Sequence, residues 1–331
     1  MAPEKIRVSL GSAIVLGLIK GMISAKPTTA YLLTYRPGKC TANCAFCPQA
    51  KSSNGRADML SRVIWPVFNL KDVVDGVKNA FEAGRIRRVC IQALNYPRVQ
   101  DDLLFISRLI HSASNVPISI SCQPLKYEEM VKLREAGVER VSIALDAATE
   151  EIFSKVKGEL IAGPYKWNHH LNALRKAVEV FGRGKVTTHL IVGLGESERE
   201  MVSMIQKCVD MGVYPSLFAF TPIPGTKMAN HPRPPIPKYR RLQIAHYLIT
   251  HGIKRYEDMK FKNDQIVDFG IPAEKLEQIV SSGKPFMTSG CPGCNRPYYN
   301  ESPKGPIYNY PRMPTPKEIL EIKKQIELLG T

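Results

Sequence analysis

Long apolar runs are scarce in this chain of 331 residues. The longest near the N-terminus, residues 13–19, is bounded by Ser12 and Lys20 and falls far short of the roughly 20 residues that cross a bilayer as a helix. One basic pair, Lys5 and Arg7, precedes it, and no small-residue cleavage pattern follows. Neither a membrane span nor a secretory leader is expected, and the sequence reads as cytoplasmic. Internal repeats and low-complexity tracts are also missing, which removes repeat arrays and linker-like chains from consideration.

Acidic residues are in short supply: 30 Asp and Glu stand against 46 Lys and Arg, a formal net charge of +16. Such a balance suits nucleic acid or an acidic protein as partner. The basic residues are spread out, however, as in Arg85, Arg87 and Arg88, then Lys238, Arg240 and Arg241, then Lys260 and Lys262. No nucleic-acid-binding module accompanies them. Solvated surface ranks first as their explanation, an acidic protein partner second, nucleic acid last. With 44% hydrophobic and 23% charged residues, a packed core is expected. The length allows one large domain of roughly 200–250 residues plus extensions, or two small domains.

Cysteine is plentiful, at eight residues. Without a secretion signal, metal or redox chemistry explains them better than disulfides. Residues 34–49, TYRPGKCTANCAFCPQ, place Cys40, Cys44 and Cys47 within eight positions, with an aromatic residue before the last. Thiolates are soft, anionic ligands suited to iron–sulfur clusters and zinc. Four would close a structural site, whereas three leave one metal position open to something other than protein. A plain zinc loop or buried apolar packing is the alternative for the spacing alone.

Around that loop the chain alternates. Residues 1–28 read as an N-terminal cap with a helix over 9–22. Strands are expected at 29–35, 88–91, 118–121, 140–145, 186–192 and 216–220. Helices are expected at 70–83, 103–111, 127–136, 167–181 and 198–211, several closed by a glycine. Strands alternating with helices of about ten residues or more imply parallel pairing and right-handed crossovers, hence an α/β fold with an open or closed β/α barrel over 29–230. The proline-rich stretch 231–237 ends that core. A C-terminal extension, 231–331, carries helices at 238–250, 273–281 and 316–329 and a second cysteine segment.

Cys90 and Cys122 are expected to end the second and third strands, facing the barrel mouth. Cys291 and Cys294 form a C-x2-C turn, a common two-ligand chelate. Together the four suffice for a second cluster, with a serine such as Ser289 as an alternative ligand. Each alone also reads as a core-filling residue, as Cys208 does inside its helix. Residues 295–310 read either as a lid or as a surface extension. His169 and His170, adjacent on a helix, point in different directions and read as structural.

The cysteine loop resembles the C-x3-C-x-Phe-C signature of the radical S-adenosylmethionine (SAM) superfamily. That resemblance implies a partial (β/α)6 to (β/α)8 barrel and a [4Fe–4S] cluster on Cys40, Cys44 and Cys47. Its open iron would bind SAM and cleave it to methionine and a 5′-deoxyadenosyl radical. VCIQALNYP around Cys90, SISCQPL around Cys122 and HLIVGLGE further on resemble the corresponding strands of biotin synthase. There the strand cysteines hold an auxiliary, sulfur-donating cluster. The third strand ligand of that family falls on Thr187 here, so Cys291 and Cys294 would complete the set with Cys90 and Cys122. By the same resemblance SAM would meet Phe46, Asp146, Ile191, Gly193, Glu196, Thr221 and Pro222. His189 stands in for the first glycine of the strand-five motif and Ala144 for an asparagine. The Gly-Gly-Glu motif is missing, with Gln92 or Asn95 in its place.

KPTTAYLLTY and GCPGCNRPYYNESP further resemble archaeal two-component lipoyl synthases. This implies a sulfurtransferase acting on an octanoyl chain carried by a lipoyl domain or H protein. A second radical SAM subunit and a ferredoxin or flavodoxin as electron donor would assist it. Biotin synthase, a methylase or mutase without sulfur transfer, and a non-catalytic iron–sulfur RNA-binding protein are the rival readings.

Overall fold

A computed structural model describes residues 2–326 of the protein. In chain order it places β1 (Lys5–Val8), α1 (Leu10–Val15), β2 (Thr29–Thr34), β3 (Met59–Leu60), β4 (Val63–Ile64), β5 (Val67–Asn69), α2 (Leu70–Glu82), β6 (Arg88–Gln92) and α3 (Val99–Ala113). Then follow β7 (Ile118–Cys122), α4 (Tyr127–Glu135), β8 (Val138–Ile143), α5 (Glu150–Val156), α6 (Trp167–Phe181), β9 (Val186–Val192), α7 (Glu198–Asp210) and β10 (Val213–Ala219). Beyond the core lie α8 (Ile236–Thr250), β11 (Lys260–Lys262), β12 (Gln265–Asp268), α9 (Ala273–Ser281) and α10 (Pro316–Gln325).

Strands β2, β6, β7, β8, β9 and β10 pair in parallel in that order. The expected β/α alternation is therefore present, because each intervening helix returns the chain to the same end of the sheet. Among the described residues the sheet does not close. Its full order is β10-β9-β8-β7-β6-β2-β1-β5, with β1 antiparallel to both β2 and β5. A partial barrel results, open between β10 and β5.

Alternation along each strand separates two environments. On β6, Val89 and Ile91 are fully buried against the helix layer, while Cys90 joins Tyr31, Leu33, Trp65 and Leu94 on the interior side. The helices are anchored locally: Ser197 and Glu200 form a capping box at the start of α7, satisfying backbone N–H groups that otherwise lack partners.

The C-terminal extension closes the open side. At the free edge of β10 the Leu217 N–H donates to Ser289 Oγ at 2.8 Å. The turn at residues 291–294 then reaches the N-terminal end of the barrel. There Gly293 O accepts from Thr28 Oγ1 at 2.5 Å and Pro292 O from Arg88 Nε at 3.4 Å. The chain climbs back to the opposite rim, where Thr221 Oγ1 donates to Asn300 O at 2.7 Å. A sheet edge left unpaired would expose a row of donors and acceptors; here the extension covers it.

Several expectations need correcting. The N-terminal helix spans only Leu10–Val15, since the chain turns at Gly17 with φ +78°. The antiparallel strands β1 and β5, the helix α5 and the β11–β12 hairpin are additional. Cys90 lies within β6, which continues to Gln92, so it faces the barrel interior and not the mouth. Of the helix expected at 316–329, residues 327–329 lie outside the described residues.

Candidate active site

Cys40, Cys44 and Cys47 sit on the loop that follows β2, at the C-terminal end of the barrel. The loop is tied from within. Cys40 N–H donates to Gln49 O at 3.0 Å, and Cys47 N–H to Cys44 O at 3.1 Å. Lys39 Nζ reaches the carbonyls of Pro48 (3.0 Å), Gly55 (2.6 Å) and Ser53, spending its three donors on the loop backbone. All three thiols are half-buried. They face a cavity of about 240 Å³ within the barrel.

Cys40 Sγ accepts from Asn95 N–H at 3.1 Å and from Ala42 N–H at 3.4 Å. Asn95, expected as a replacement for the missing motif, meets the cysteine loop through its backbone. Burial pushes the Cys47 thiol up to about 12. Burial raises Cys44 as well, opposed by the nearby Lys157 ammonium. Thiols so placed ionise only when a cation compensates the lost hydration. Among the described residues no three His, Cys, Asp or Glu side chains converge on a single ion. A cubane takes one thiolate per iron and needs no such convergence. The donor set therefore fits a cluster better than one zinc ion.

A second thiol group lies deeper. Cys90, Cys291 and Cys294 face the same cavity. Burial raises the Cys90 thiol well above its ordinary range, and proximity to Cys291 and Cys294 adds to the shift. Burial raises Cys294 too, against the favourable charge of Arg296 and a hydrogen bond from Tyr31. Tyr31 Oη lies 3.3 Å from Cys294 Sγ, and Ser119 Oγ lies 3.7 Å from Cys291 Sγ.

The structure does not bring Cys122 to this group. Cys122, at the C-terminal end of β7, lines the same cavity, but it is 3% exposed and packs with Ile118 and Ile120 of the apolar core, whereas Ser119 is the β7 residue beside Cys291. Burial pushes its thiol up to about 12, and Glu129 is its charged neighbour. Ser289, the alternative ligand, has its oxygen engaged at the edge of β10. Cys208 is buried within the core on α7.

Of the residues expected to meet SAM, Phe46, Asp146, Ile191 and Thr221 line the cavity, whereas Pro222, Gly193 and Glu196 do not. Glu196 is spent on its own turn. Its carboxylate accepts from Gly193 N–H at 2.8 Å and Leu194 N–H at 2.9 Å, and pairs with Lys238 at 3.1 Å. Gly193 has φ +100°, and a Cβ there would come within 2.9 Å of the Pro234 ring. Both residues therefore shape a turn behind the wall.

Asp146 has φ +71°, a conformation costly for a residue with a side chain. Its Oδ2 accepts from Lys157 Nζ at 2.6 Å. Lys157 has no exposed surface and also donates to Ala144 O. A strained backbone at a buried ion pair marks a site whose geometry is imposed by its surroundings. Lys157 carries no family motif, and only the fold brings it to Asp146.

His189, which stands in for the motif's first glycine, and Arg296 also line the cavity. Burial pushes His189 down to about 4, with its Nε2 3.3 Å from Ser142 Oγ. The Arg296 guanidinium lies 3.9 Å from the centre of the Phe218 ring. Tyr299 caps the apolar wall, packed edge-on against Trp65 and Phe218, with its hydroxyl donating to Gln92 Oε1 at 3.3 Å. Arg296, Tyr299 and Asn300 thus form part of the cavity wall. His170 is packed between Phe153 and Tyr165, as a structural residue would be, while His169 is exposed.

A partial parallel barrel with a three-cysteine loop above its strand C-termini defines a class of cluster-bearing β/α enzymes. The chain matches the Radical SAM superfamily over residues 35–208, just over half its length, and it belongs to that superfamily. Membership implies a [4Fe–4S] cluster and SAM. The chain is 27% identical over 213 residues to the biotin synthase of Chlamydia pneumoniae, covering 62% of this chain and 59% of that one. It is 28% identical over 204 residues to that of Rickettsia felis, covering 60% and 62%. The matches thus span about three-fifths of these relatives' length. In fold it is similar to a methylornithine synthase, with TM-score 0.53 at 13% identity over 73% of this chain and 67% of that one. It is also similar to HydG, a maturase of the [FeFe]-hydrogenase, with TM-score 0.55 at 15% identity over 72% and 53%. No helix among the described residues is long and apolar enough to cross a membrane.

Proposed function

We propose that the protein is a radical SAM sulfurtransferase that inserts sulfur at an unactivated C–H bond of a protein-bound octanoyl chain, as one component of a lipoyl synthase. The observation that carries this reading is the presence of two thiol groups, Cys40/Cys44/Cys47 and Cys90/Cys291/Cys294, facing one cavity from opposite depths. One group would account for radical generation, and the second would hold a second, sulfur-donating cluster. Bound to these residues, the two clusters would supply a SAM-derived radical at one end and inorganic sulfide at the other.

The chain's own residues would bind, orient and seal. Asp146, held by Lys157, presents a carboxylate that accepts hydrogen bonds from the ribose hydroxyls. Ile191, Phe46 and Thr221 line the same cavity. Between the two thiol groups the wall formed by Leu33, Leu94, Phe218 and Tyr299 is apolar, which suits a saturated chain. The extension lines the open side of the barrel and would limit water access, which protects reactive intermediates. The basic balance of the chain would steer an acidic carrier domain toward it. A second radical SAM subunit and a small electron-transfer protein complete the proposed partners.

A biotin synthase-like reaction on a small free substrate is the second reading, favoured by the biotin synthase relatives. One experiment separates the two. The anaerobically reconstituted, reduced protein is given SAM with either an octanoyl-lysine peptide or dethiobiotin, and products are followed by mass spectrometry. A peptide gaining the mass of sulfur supports the lipoyl reading. Sulfur gained by dethiobiotin alone replaces it with the second. Deoxyadenosine formed with neither substrate thiolated removes sulfur transfer to both.

A further inference from the structure

Each thiol of the 291–294 turn is met by one hydroxyl, and each hydroxyl is already the acceptor of another donor. Tyr31 Oη receives the Arg296 backbone N–H at 2.9 Å. Ser119 Oγ receives Arg88 Nη1–H at 2.9 Å, and Arg88 is itself held at 2.6 Å by Glu139. A hydroxyl carries a single hydrogen. With its oxygen serving as acceptor on one side, that hydrogen is left for the sulfur on the other. Cys294 Sγ stands 3.3 Å from Tyr31 Oη, and Cys291 Sγ 3.7 Å from Ser119 Oγ. Tyr31 is 4% exposed and Ser119 3%, so both hydroxyls sit away from bulk solvent. The two donors come from different strands, β2 and β7, and bracket the turn.

We infer that Tyr31 and Ser119 are paired O–H donors to Cys294 and Cys291, positioning residues that raise the reduction potential of the cluster these thiols hold. The assignment rests on the proposed second cluster. Hydrogen bonds to ligand sulfur withdraw charge from a cluster and favour its more negative, reduced form. The shorter contact, from Tyr31, has the larger effect. Because β2 runs on into the loop of Cys40, Tyr31 also ties the deep thiol group to the strand that positions the first.

The test uses full-length protein reconstituted with iron and sulfide, compared as wild type, Y31F, S119A and the double variant. S121A, which alters a hydroxyl on the inner face of the same strand, is the control. Iron is counted, and each cluster is titrated potentiometrically with electron paramagnetic resonance detection. Wild type and Y31F are both expected to hold about eight irons, as two cubanes require. At the wild-type midpoint of the second cluster, Y31F should show an about tenfold lower reduced-to-oxidised ratio, about 59 mV for one electron. S119A should show a smaller drop, the double variant the largest, and S121A none. The first cluster's midpoint should not move. An eight-iron Y31F protein with an unmoved second midpoint, or with both midpoints shifted alike, overturns the assignment. A wild type that takes up only four irons overturns the second cluster itself, and the assignment with it.

Discussion

Lys157 Nζ lies 2.6 Å from Asp146 Oδ2, and neither side chain has more than 9% of its surface exposed. Removing the lysine would leave a buried carboxylate without a counter-charge, which costs about 3–5 kcal/mol in stability. K157M should fall by that order in urea unfolding. D146N/K157M should recover a large part of the loss, since both charges are then gone. SAM binding by equilibrium dialysis should weaken in K157M even at temperatures where the protein stays folded. Equal losses in the single and double variants would show that the pair is not the source.

The cysteines divide by strand face. C90A, C291A and C294A should each lose about half the iron of the reconstituted protein while the first cluster persists. C122A should keep wild-type iron, since Cys122 packs with Ile118 and Ile120. Its cost should be about 1 kcal/mol or more in stability, the ordinary price of deleting a buried side-chain atom. Iron loss in C122A would place its thiol in the cluster after all.

Glu301 links the extension to the barrel and is 2% exposed. Burial pushes its carboxyl up to about 7, against the favourable effects of the Asn309 N–H and the Arg296 charge. A carboxyl whose folded value is raised binds its proton more tightly folded than unfolded. The contribution of this group to stability is therefore greatest below the ordinary value of 4.5, declines as pH rises toward 7, and levels off above. The loss attributable to this group is of the order of 3 kcal/mol. E301Q should flatten the wild-type decline between about pH 5 and 7, read as the difference in urea midpoints. Parallel curves for wild type and E301Q would refute the assignment.

The cysteine loop depends on a close backbone approach. Gly225 has φ +81°, and a Cβ there would come within 2.4 Å of Gly55 N. Its carbonyl accepts from Asn54 N–H at 2.8 Å and Ser53 Oγ at 3.0 Å. G225A should therefore destabilise the protein by about 1–3 kcal/mol and loosen retention of the first cluster during gel filtration. An unchanged melting temperature and iron content would count against that role.

Much of the barrel was legible because its signals are local. Glycine stops, the periodicity of α6 and α7 and the β-branched strands each lie within a dozen residues. Helices 167–181 and 273–281 and strand 186–192 match the structure end to end. The antiparallel strands β1 and β5 escaped notice since short edge strands are defined by their partners, not by their own composition. Family likeness named Asp146 but could not foresee Lys157, which lies 11 residues on, just past the end of α5, a helix the sequence did not reveal. Glu196 matched a motif, yet its oxygens are spent on the turn at Gly193, which only the folded backbone discloses.

By itself the sequence determined that three thiols crowd one loop, that strands and helices alternate, and that the chain carries the radical SAM signature. These are properties of spacing along the chain. Tertiary structure alone decided which distant cysteines share a cavity. Cys90 and Cys122 look equivalent in sequence, each near the end of a strand. Alternation across the sheet sets Cys90 beside Cys291 and Cys294 and leaves Cys122, which borders the same cavity at the end of β7, packed with the core and apart from them. A shift of one position along a strand reverses the side a residue faces, and that side is set by pairing with neighbouring strands.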